Sequence, residues 1–312
     1  MDKLVSVVIP CYNSYVFLPR LFDCLLAQSY KKLEIIAVND GSTDQTNELF
    51  DVYKSKFINN NIDFIVIDQG NSGQAVAINQ ALKVFRGEYI TWIDSDDWLE
   101  NDAIELKYRY LEENSKLGFV RTDVAMYKYP DYENVTGLFS DNRDFKSTNI
   151  FMDLILEKNV YFCPGGYLVR TSSLLDVLPG RHIIESRAGQ NWQLLLPLAE
   201  KYECGYIDKP LFNYLVRDSS HSHSVTDLDE KIKRCQIHKQ LILNILSNLN
   251  VDYNFYEKIL NTKYRNMIIS LCYQYGDLDK FRLEFKKLGS KGFKNYLRLI
   301  VLLLKVKLGV FR

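Results

Sequence analysis

Short apolar runs alternate with helical patterns over the first hundred residues. The runs at 4–9, 33–38, 62–67 and 89–93 are rich in β-branched and aromatic residues, which is typical of strands covered on both faces. Between them, apolar residues recur at helical spacing, as they do over 17–26. This alternation predicts right-handed crossovers and an α/β fold with a mainly parallel sheet flanked by helices.

The pattern becomes less regular after residue 100. Residues 102–116 predict a helix and residues 118–126 a strand, whereas residues 127–144 are polar, aromatic and turn-rich. Apolar runs at 204–208 and 211–217 predict two short strands. We assign residues 101–224 to the same domain as the first hundred residues.

Long helical periodicities replace this alternation from Thr226 onward. The change predicts a domain over 1–224, with a first half at 1–100 and a second at 101–224, and a helical region over 225–312. The helical region carries no catalytic pattern.

The last helical pattern, Lys291–Arg312, has one apolar stripe, a basic flank and no acidic residue. A basic amphipathic helix of this kind can lie at an anionic membrane surface. It can equally pack its stripe against the other helices or against a second copy of the chain. A membrane contact and a homodimer contact therefore both stay open.

Composition and charge exclude some classes of function. The 39 basic and 39 acidic residues cancel, which gives no indication of a nucleic-acid partner. The six cysteines show no metal-ligand spacing and no disulfide framework, so reduced thiols in a cytoplasmic protein are expected. The N-terminus lacks the pattern of a signal peptide, and no apolar run approaches the roughly 20 residues that cross a bilayer. We expect a cytoplasmic protein, peripheral at the inner face of the membrane if the basic helix binds there.

Three carboxylates follow the fourth predicted strand. Asp94, Asp96 and Asp97 come directly after residues 89–93, at the carboxyl end where open α/β sheets place their ligands. Like charges this close repel one another unless a cation lies among them. Carboxylates with open positions suit Mg²⁺ or Mn²⁺, which takes further ligands from a substrate diphosphate. The alternative is a solvated turn that caps the helix beginning near Asn101.

Polar residues follow the first strand at the same predicted sheet edge. In the loop over residues 10–14, Tyr12 offers a flat surface and Asn13 a polar tip. A planar base stacked on Tyr12 would gain about 1–3 kcal/mol. Asn13 or Ser14 could instead cap a helix.

The loops after the second and third strands add acceptors and glycines. Asp40 can read a ring N–H, and the helix start at Ser42 supplies backbone N–H groups. Ser42 and the glutamine three residues later form a capping box, which marks that helix start. Gly41 and Asn71–Gly73 permit close backbone approach. Each loop alone is better explained as a turn or a helix cap, and only the convergence of the loops indicates a ligand site.

Four motifs occur in order along this part of the chain: Val7–Asn13, Val38–Asp44, Asn71–Gly73 and Ile93–Trp98. Together they resemble the successive signatures of the family 2 glycosyltransferases, which have the Rossmann-like GT-A fold. The resemblance is close over the first hundred residues and looser as far as Ser224. Four motifs in order are specific, whereas each alone is weak.

The resemblance implies a role for each matching position. The donor nucleotide, most often one with uracil, would be held by the loops and by the start of the acidic Asp-x-Asp signature. These positions are Pro10, Tyr12, Asn13, Asp40, Gly41, Ser42, Asn71, Gly73, Asp94 and Ser95. Asp96, together with Asp94, would coordinate Mn²⁺ or Mg²⁺ on the donor's diphosphate, and Asp97 would assist catalysis.

The general base of the family has no direct counterpart in this chain. Many members carry an aspartate before a tryptophan here, whereas this chain has Gln190, Asn191 and Trp192. Neither amide takes up a proton at neutral pH, so a base is missing at the aligned position. Glu185 is the nearest carboxylate in sequence and is the candidate replacement. Gln190 and Asn191 could otherwise bind the acceptor or cap the helix.

Later residues complete the implied site. His221 or His223 would bind the metal or a phosphate, with Arg217 as a helper. Two histidines in a serine-rich loop are otherwise a solvated surface feature. Trp98, Tyr161 and Phe162 are candidate sugar-stacking surfaces, with core packing as the alternative for each.

The sequence therefore predicts a metal-dependent, inverting glycosyltransferase. It would move one sugar from a nucleotide-diphosphate donor, most simply a UDP-sugar, to a hydroxyl of a glycan, lipid-linked or protein-linked acceptor. The rival hypothesis is a non-catalytic nucleotide-sugar binder that supports a partner transferase, because the aligned base is absent. A nucleotidyltransferase is disfavoured, since no glycine-rich phosphate loop with basic residues occurs early in the chain.

Overall fold

A computed structural model describes residues 2–141, 143–187, 189–217, 227–289 and 292–307. The chain divides into two compact units between residues 217 and 218. The predicted boundary at residue 224 lies outside the described residues, so it stays a prediction.

The first unit is an α/β domain built on one nine-stranded sheet. Its strands are β1 (Val5–Cys11), β2 (Leu33–Asp40), β3 (Asp63–Gln69), β4 (Tyr89–Trp92), β5 (Trp98–Leu99), β6 (Leu117–Lys128), β7 (Gly137–Leu138), β8 (Tyr167–Arg170) and β9 (Glu203–Val216). Its helices are α1 (Leu18–Leu26), α2 (Thr46–Asn59), α3 (Gln74–Val84), α4 (Ala103–Glu113), α5 (Phe151–Leu156), α6 (Thr171–Val177) and α7 (Gln190–Lys201). The predicted α/β class is confirmed.

The strands lie in the order β3-β2-β1-β4-β8-β6-β9-β5, and β7 pairs with β6. The strands β1 to β4 are all parallel, as their continuous apolar runs predicted. β8 then runs antiparallel to both β4 and β6, and β5 runs antiparallel to β9. Because β1 to β4 are parallel, the loops at their carboxyl ends meet at one sheet edge.

Two strands differ from the prediction. β1 was predicted to end at residue 9, but it continues through Pro10 to Cys11. The proline is tolerated because β4 pairs with β1 only as far as Val8, so that at Pro10 only β2 pairs with β1. The two short strands predicted over 204–217 form the single strand β9. That prediction was wrong because the break is a register shift, opposite Thr122 and Asp123 of β6, rather than a turn.

The second unit contains four helices among its described residues. They are α8 (Leu228–Leu246), α9 (Tyr253–Tyr275), α10 (Leu278–Lys286) and α11 (Phe293–Lys307). Asp227, Asp252 and Asp277 cap the first three, each accepting a backbone N–H from the first turn. Within the described ranges, no helix is both long enough and apolar enough to span a bilayer.

Candidate active site

The acid loop, residues 94–97, joins β4 to β5 at the carboxyl end of the parallel strands. The Asp97 N–H donates to the Asp94 carbonyl over 3.1 Å, which closes the turn. The buried Asp97 carboxylate accepts the Leu215 N–H over 2.9 Å through Oδ1, so the turn is fixed to β9. The acids therefore lie at the sheet edge that the sequence predicted for them.

Two acids of this loop have partners on opposite sides. Asp94 accepts a hydrogen bond from the Gln74 side chain at the start of α3. Asp96 forms an ion pair with Arg217, directly after β9. The acid loop thus faces α3 on one side and the end of β9 on the other.

Burial controls the proton affinity of two of these carboxyls. Loss of water raises the pKa of Asp94 to about 7, and the charge of Asp96 adds to the rise. Burial also raises the pKa of Asp97 well above its usual range, with smaller contributions from Asp96 and Asp94. A cation placed among them would favour the ionised forms and offset both effects.

The acid loop fits a divalent cation held by few protein ligands. The Oδ2 atom of Asp97 is buried without a hydrogen-bond partner. Among the described residues, no group of three or more His, Cys, Asp or Glu side chains is arranged to hold a metal ion. One or two carboxylates, with substrate oxygens completing the shell, are the usual donor set of Mg²⁺. His221 and His223, the other predicted ligands, lie outside the described residues.

Asp40 holds the third strand's loop in place. Its Oδ1 accepts from the Gln69 side chain and from the Ser72 N–H, both over 2.7 Å, and its Oδ2 accepts the Gly73 N–H over 2.9 Å. Three of the roughly four acceptor positions of the carboxylate are therefore used. One acceptor position of Asp40 is left at this edge, and its use by a ligand stays a prediction.

Asn13 and Ser42 join the first two loops to each other. The Asn13 N–H donates to Ser42 Oγ over 3.0 Å, and Asn13 Oδ1 accepts the Thr43 N–H over 2.8 Å. The predicted capping box at Ser42 is wrong, because α2 begins at Thr46 and the Ser42 hydroxyl is taken by the neighbouring loop. Asp44 accepts the Thr46 N–H over 3.1 Å instead.

Two glycines let these loops approach closely. Gly41 has φ +70°, and a Cβ on it would lie 2.6 Å from the backbone nitrogen of Asn71. Gly73 has φ +95° and precedes α3. Both need a backbone conformation that side chains with a Cβ rarely adopt. Gly41 has the close backbone approach predicted from sequence, whereas a Cβ on Gly73 would meet only the Arg187 Cγ, at 3.5 Å.

The remaining donor-side residues divide by exposure. The Tyr12 side chain is 44% exposed and can offer a ring face, whereas Pro10 is buried within β1. Ser95 lies in the acid loop, and its hydroxyl is 2.7 Å from that of Ser14. That contact links the first loop to the acids. The loops over 10–14, 39–44 and 69–74 are named the donor loops below.

Gln190 and Asn191, at the start of α7, are both engaged. Gln190 donates to the Gln74 side chain over 2.5 Å, which continues the chain of contacts to Asp94. Asn191 is buried, accepts from Trp92 Nε1 over 2.8 Å and donates to the Phe162 carbonyl over 2.6 Å. Asn191 therefore fixes α7 to β4.

Glu185 lies in the segment that leads to α7. It is exposed and makes no hydrogen bond to a described residue. Two residues later, the Arg187 guanidinium donates to Asn71 over 3.4 Å, which places this segment beside the third donor loop.

Three contributors were missed or underrated from the sequence. Gln74 bridges Asp94 and Gln190, and its position directly after Gly73 was the available signal. Arg187 lies between Glu185 and Gln190, a segment in which the sequence prediction concerned only the carboxylate and the two amides. Arg217 was expected only as a helper, whereas it is the ion-pair partner of Asp96. Tyr161 is buried and bonds Thr122 through its hydroxyl, so core packing is its role.

The strand order and the loops that meet at the acids are those of the GT-A fold. The family model of glycosyl transferase family 2 matches residues 6–178, more than half of the chain. The chain belongs to this family.

Relatives and solved structures agree with this classification. A poly(ribitol-phosphate) beta-glucosyltransferase of Bacillus spizizenii is 32% identical over 176 residues, which cover 55% of this chain and 26% of the relative. Residues 1–349 of S. aureus TarS in complex with UDP-GlcNAc superpose with TM-score 0.62 at 18% identity, covering 96% of this chain and 79% of that one.

The mannosyltransferase PcManGT of Pyrobaculum calidifontis, in complex with GDP-Man and Mn²⁺, gives TM-score 0.58 at 16% identity and covers 98% of this chain and 87% of that one. At such identities the two structures show the fold alone. The chain spans less than half the length of the first curated relatives that it matches.

Proposed function

We propose that the chain is a metal-dependent, inverting glycosyltransferase. It moves one sugar from a UDP-linked donor to a hydroxyl of a glycan, lipid-linked or protein-linked acceptor. The observation that carries this proposal is the junction of the donor loops with the acid loop through Ser95 and Gln74. Complexes of the structural neighbours with UDP-GlcNAc and with GDP-Man and Mn²⁺ support a nucleotide-sugar donor and a metal. The name of the Bacillus relative supports a polymer as acceptor.

The donor loops would bind the nucleotide. The exposed Tyr12 ring would stack on the base, and the unused acceptor position of Asp40 would take a ring N–H. Asn13 and Ser42 would act mainly by holding two loops at a fixed separation. Hydrogen bonds among the donor loops thus hold the binding surface in shape before the nucleotide binds. This lowers the conformational entropy lost on binding.

The acid loop and Arg217 would hold the diphosphate. Asp96 and Asp94 would hold Mn²⁺ or Mg²⁺, which when bound neutralises charge that grows on the leaving diphosphate. Arg217 has a buried Nε without a hydrogen-bond partner. That N–H is a donor suited to a phosphate oxygen. Asp97 would keep the loop in register through Leu215.

Glu185 is the proposed general base. Gln190 and Asn191 cannot accept a proton, and their amides are committed to Gln74, Trp92 and Phe162. Glu185 has no hydrogen-bond or ion-pair partner among the described residues, and it lies on the segment that Arg187 joins to the third donor loop. It would take the proton of the acceptor hydroxyl during attack on an oxocarbenium-like centre.

A donor screen by calorimetry tests this function. We expect UDP and one UDP-sugar to bind in the presence of Mn²⁺, and binding to weaken at least tenfold in EDTA. Asp96→Asn should lose the Mn²⁺-dependent part of the affinity, whereas Glu185→Gln should keep UDP affinity and lose at least a hundredfold in kcat. UDP affinity that is equal with and without metal, and equal in Asp96→Asn, would falsify the metal-dependent mechanism.

The second candidate is a nucleotide-sugar binder without turnover. The commitment of both amides at the start of α7 favours it, since no carboxylate occupies the aligned position. Tight UDP-sugar binding combined with no release of sugar to any acceptor or to water would select this candidate.

We further propose that α11 binds an anionic membrane surface at the cytoplasmic side. Phe293, Leu297, Ile300 and Leu304 are 84%, 50%, 54% and 54% exposed and lie at helical spacing on one face. The opposite face packs on α9 through Asn295, which donates to Asn266 over 2.7 Å. The six cysteines are free thiols, which fits a reducing compartment.

Vesicle flotation tests the membrane contact. The chain should float with phosphatidylglycerol vesicles and much less with phosphatidylcholine vesicles, because the helix is basic. Leu297→Gln with Ile300→Gln should reduce flotation at least fivefold. Leu283→Gln, which changes a 56% exposed leucine of α10, is the matched control. Equal flotation of all variants removes the proposal, and a concentration-dependent dimer lost in the double variant assigns the stripe to a second copy.

A further inference from the structure

A cleft opens beside the acid loop. It has a volume of about 740 Å³ and lies among the start of α1, β5 and the residues that follow β6. Asp96 is among the residues that line it, together with the aromatic side chains of Trp98, Tyr129 and Tyr132. The volume is within the range of small-molecule sites, about 300–1,000 Å³. We name it the Trp98 cleft.

The aromatic side chains of the cleft form a connected wall. The ring centroids of Trp98 and Tyr132 are 5.9 Å apart, and those of Tyr132 and Tyr129 are 6.1 Å apart. Tyr129 is 44% exposed, so it presents ring surface to a ligand. The ring of its neighbour Phe17 has its centroid 4.5 Å from the guanidinium carbon of Arg217, which is the ion-pair partner of Asp96. The wall is therefore continuous with the acid loop.

Arg20 adds hydrogen-bond donors in a fixed plane. Its guanidinium centre is 4.0 Å from the Tyr132 ring and 5.1 Å from the Trp98 ring. Within the described part of the chain, it pairs with no carboxylate. Stacking fixes the plane of the guanidinium and leaves its N–H groups for a ligand.

Two carboxylates supply acceptors at the rim. Asp23 accepts from the Tyr53 hydroxyl over 2.9 Å through Oδ1, and Glu100 accepts from Asn213 over 2.8 Å through Oε1. Among the described residues, nothing donates to the second oxygen of either carboxylate, which can therefore accept a hydrogen bond from a ligand hydroxyl. With Asp96 and Arg20, the charge of the lining is negative, which disfavours a phosphate and favours a neutral ligand rich in hydroxyls.

We propose that the Trp98 cleft binds a neutral sugar of the acceptor glycan, with the reacting end of the acceptor directed toward Asp96. Aromatic faces, a flat donor and paired carboxylates together suit a ring that has apolar C–H faces and hydroxyls at its edge. This inference rests on the proposed transferase function, since it names the acceptor that the donor sugar would reach.

Saturation-transfer NMR with neutral disaccharides, cellobiose and N,N′-diacetylchitobiose, tests the cleft. At least one disaccharide should bind the full chain, with affinity reduced fivefold or more in Tyr132→Ala and in Arg20→Met. Tyr275→Ala, which removes a 40% exposed tyrosine from the second unit, is the matched control and should bind as the unmodified chain does. UDP affinity, measured in parallel, should stay within twofold in all three variants and reports folding.

The outcomes separate this inference from the proposed function. No disaccharide binding, or binding that both cleft variants retain, overturns the cleft assignment while leaving UDP-sugar turnover untouched. Loss of UDP affinity in both cleft variants, with folding confirmed by circular dichroism, overturns it by assigning the cleft to the donor. Disaccharide binding that depends on Tyr132 in a chain that binds no nucleotide supports the cleft and rejects the transferase.

Discussion

Two regions flank the acid loop, and they are built from different chemical groups. The donor loops are held by backbone N–H groups, short polar side chains and glycines, as at Asp40 and Gly41. The Trp98 cleft is formed by large aromatic and charged side chains, such as Tyr132 and Arg20. A site formed by backbone groups tolerates few substitutions, because altering it requires the main chain to move. A site formed by side chains can be altered by single substitutions. The difference suits a common donor and a variable acceptor.

Replacing Asp40 should give the largest effect of the substitutions that test this comparison. In Asp40→Ala the Ser72 and Gly73 N–H groups lose their acceptor, which should lower the free energy of unfolding by about 2–4 kcal/mol. UDP affinity should fall more than tenfold, because the third donor loop is released. Urea unfolding and calorimetry measure both effects.

Asp23→Ala on the rim of the cleft is the matched control. Asp23 accepts one hydrogen bond from a described residue, the hydroxyl of Tyr53, and its replacement by alanine should lower the free energy of unfolding by less than about 1 kcal/mol. UDP affinity should stay within twofold. Similar losses in the two variants would show that the donor loops and the cleft do not differ in the way described here.

The parallel half of the fold could be predicted from sequence because each of its elements is local. Buried strands and amphipathic helices repeat with their own periods, and the carboxyl ends of parallel strands must meet at one edge. The positions of Asp94, Asp96 and Asp97 followed from that rule. The predicted strands over 204–217 failed because a register shift and a turn leave the same interruption in the sequence.

Long-range partners could not be predicted. Gln74 and Gln190 are 116 residues apart in sequence, and Asn13 and Thr43 are 30 apart. Nothing in the spacing of such residues indicates that their side chains meet, since the fold alone decides it. The Trp98 cleft was missed for the same reason, because α1, β5 and the segment after β6 contribute to it separately. Trp98 itself was anticipated as a sugar-stacking residue, a role that stays a prediction.

A pH-dependent effect is expected at Asp94, whose loop lies between the two regions. Its pKa in the folded chain is raised to about 7 by burial and by Asp96. The folded state therefore holds a proton that the unfolded state has already released above about pH 4. Asp94 stabilises the metal-free fold at low pH, and this contribution is lost by up to about 1.4 kcal/mol per unit as pH rises toward 7.

Asp94→Asn isolates this contribution, since every other titrating group is kept and the asparagine oxygen can still accept from Gln74. In EDTA, unfolding free energies measured by urea at pH 5, 6, 7 and 8 should fall more steeply for the unmodified chain than for the variant up to pH 7, and in parallel above it. Adding Mn²⁺ should remove much of the difference at pH 8, because a cation at the acid loop stabilises the ionised carboxylate. Parallel curves over the whole range would show that Asp94 is ionised in the folded chain throughout. The carboxylates of the acid loop would then be as accessible to water as the side chains of the Trp98 cleft. The donor loops would in that case not border a region from which water is excluded.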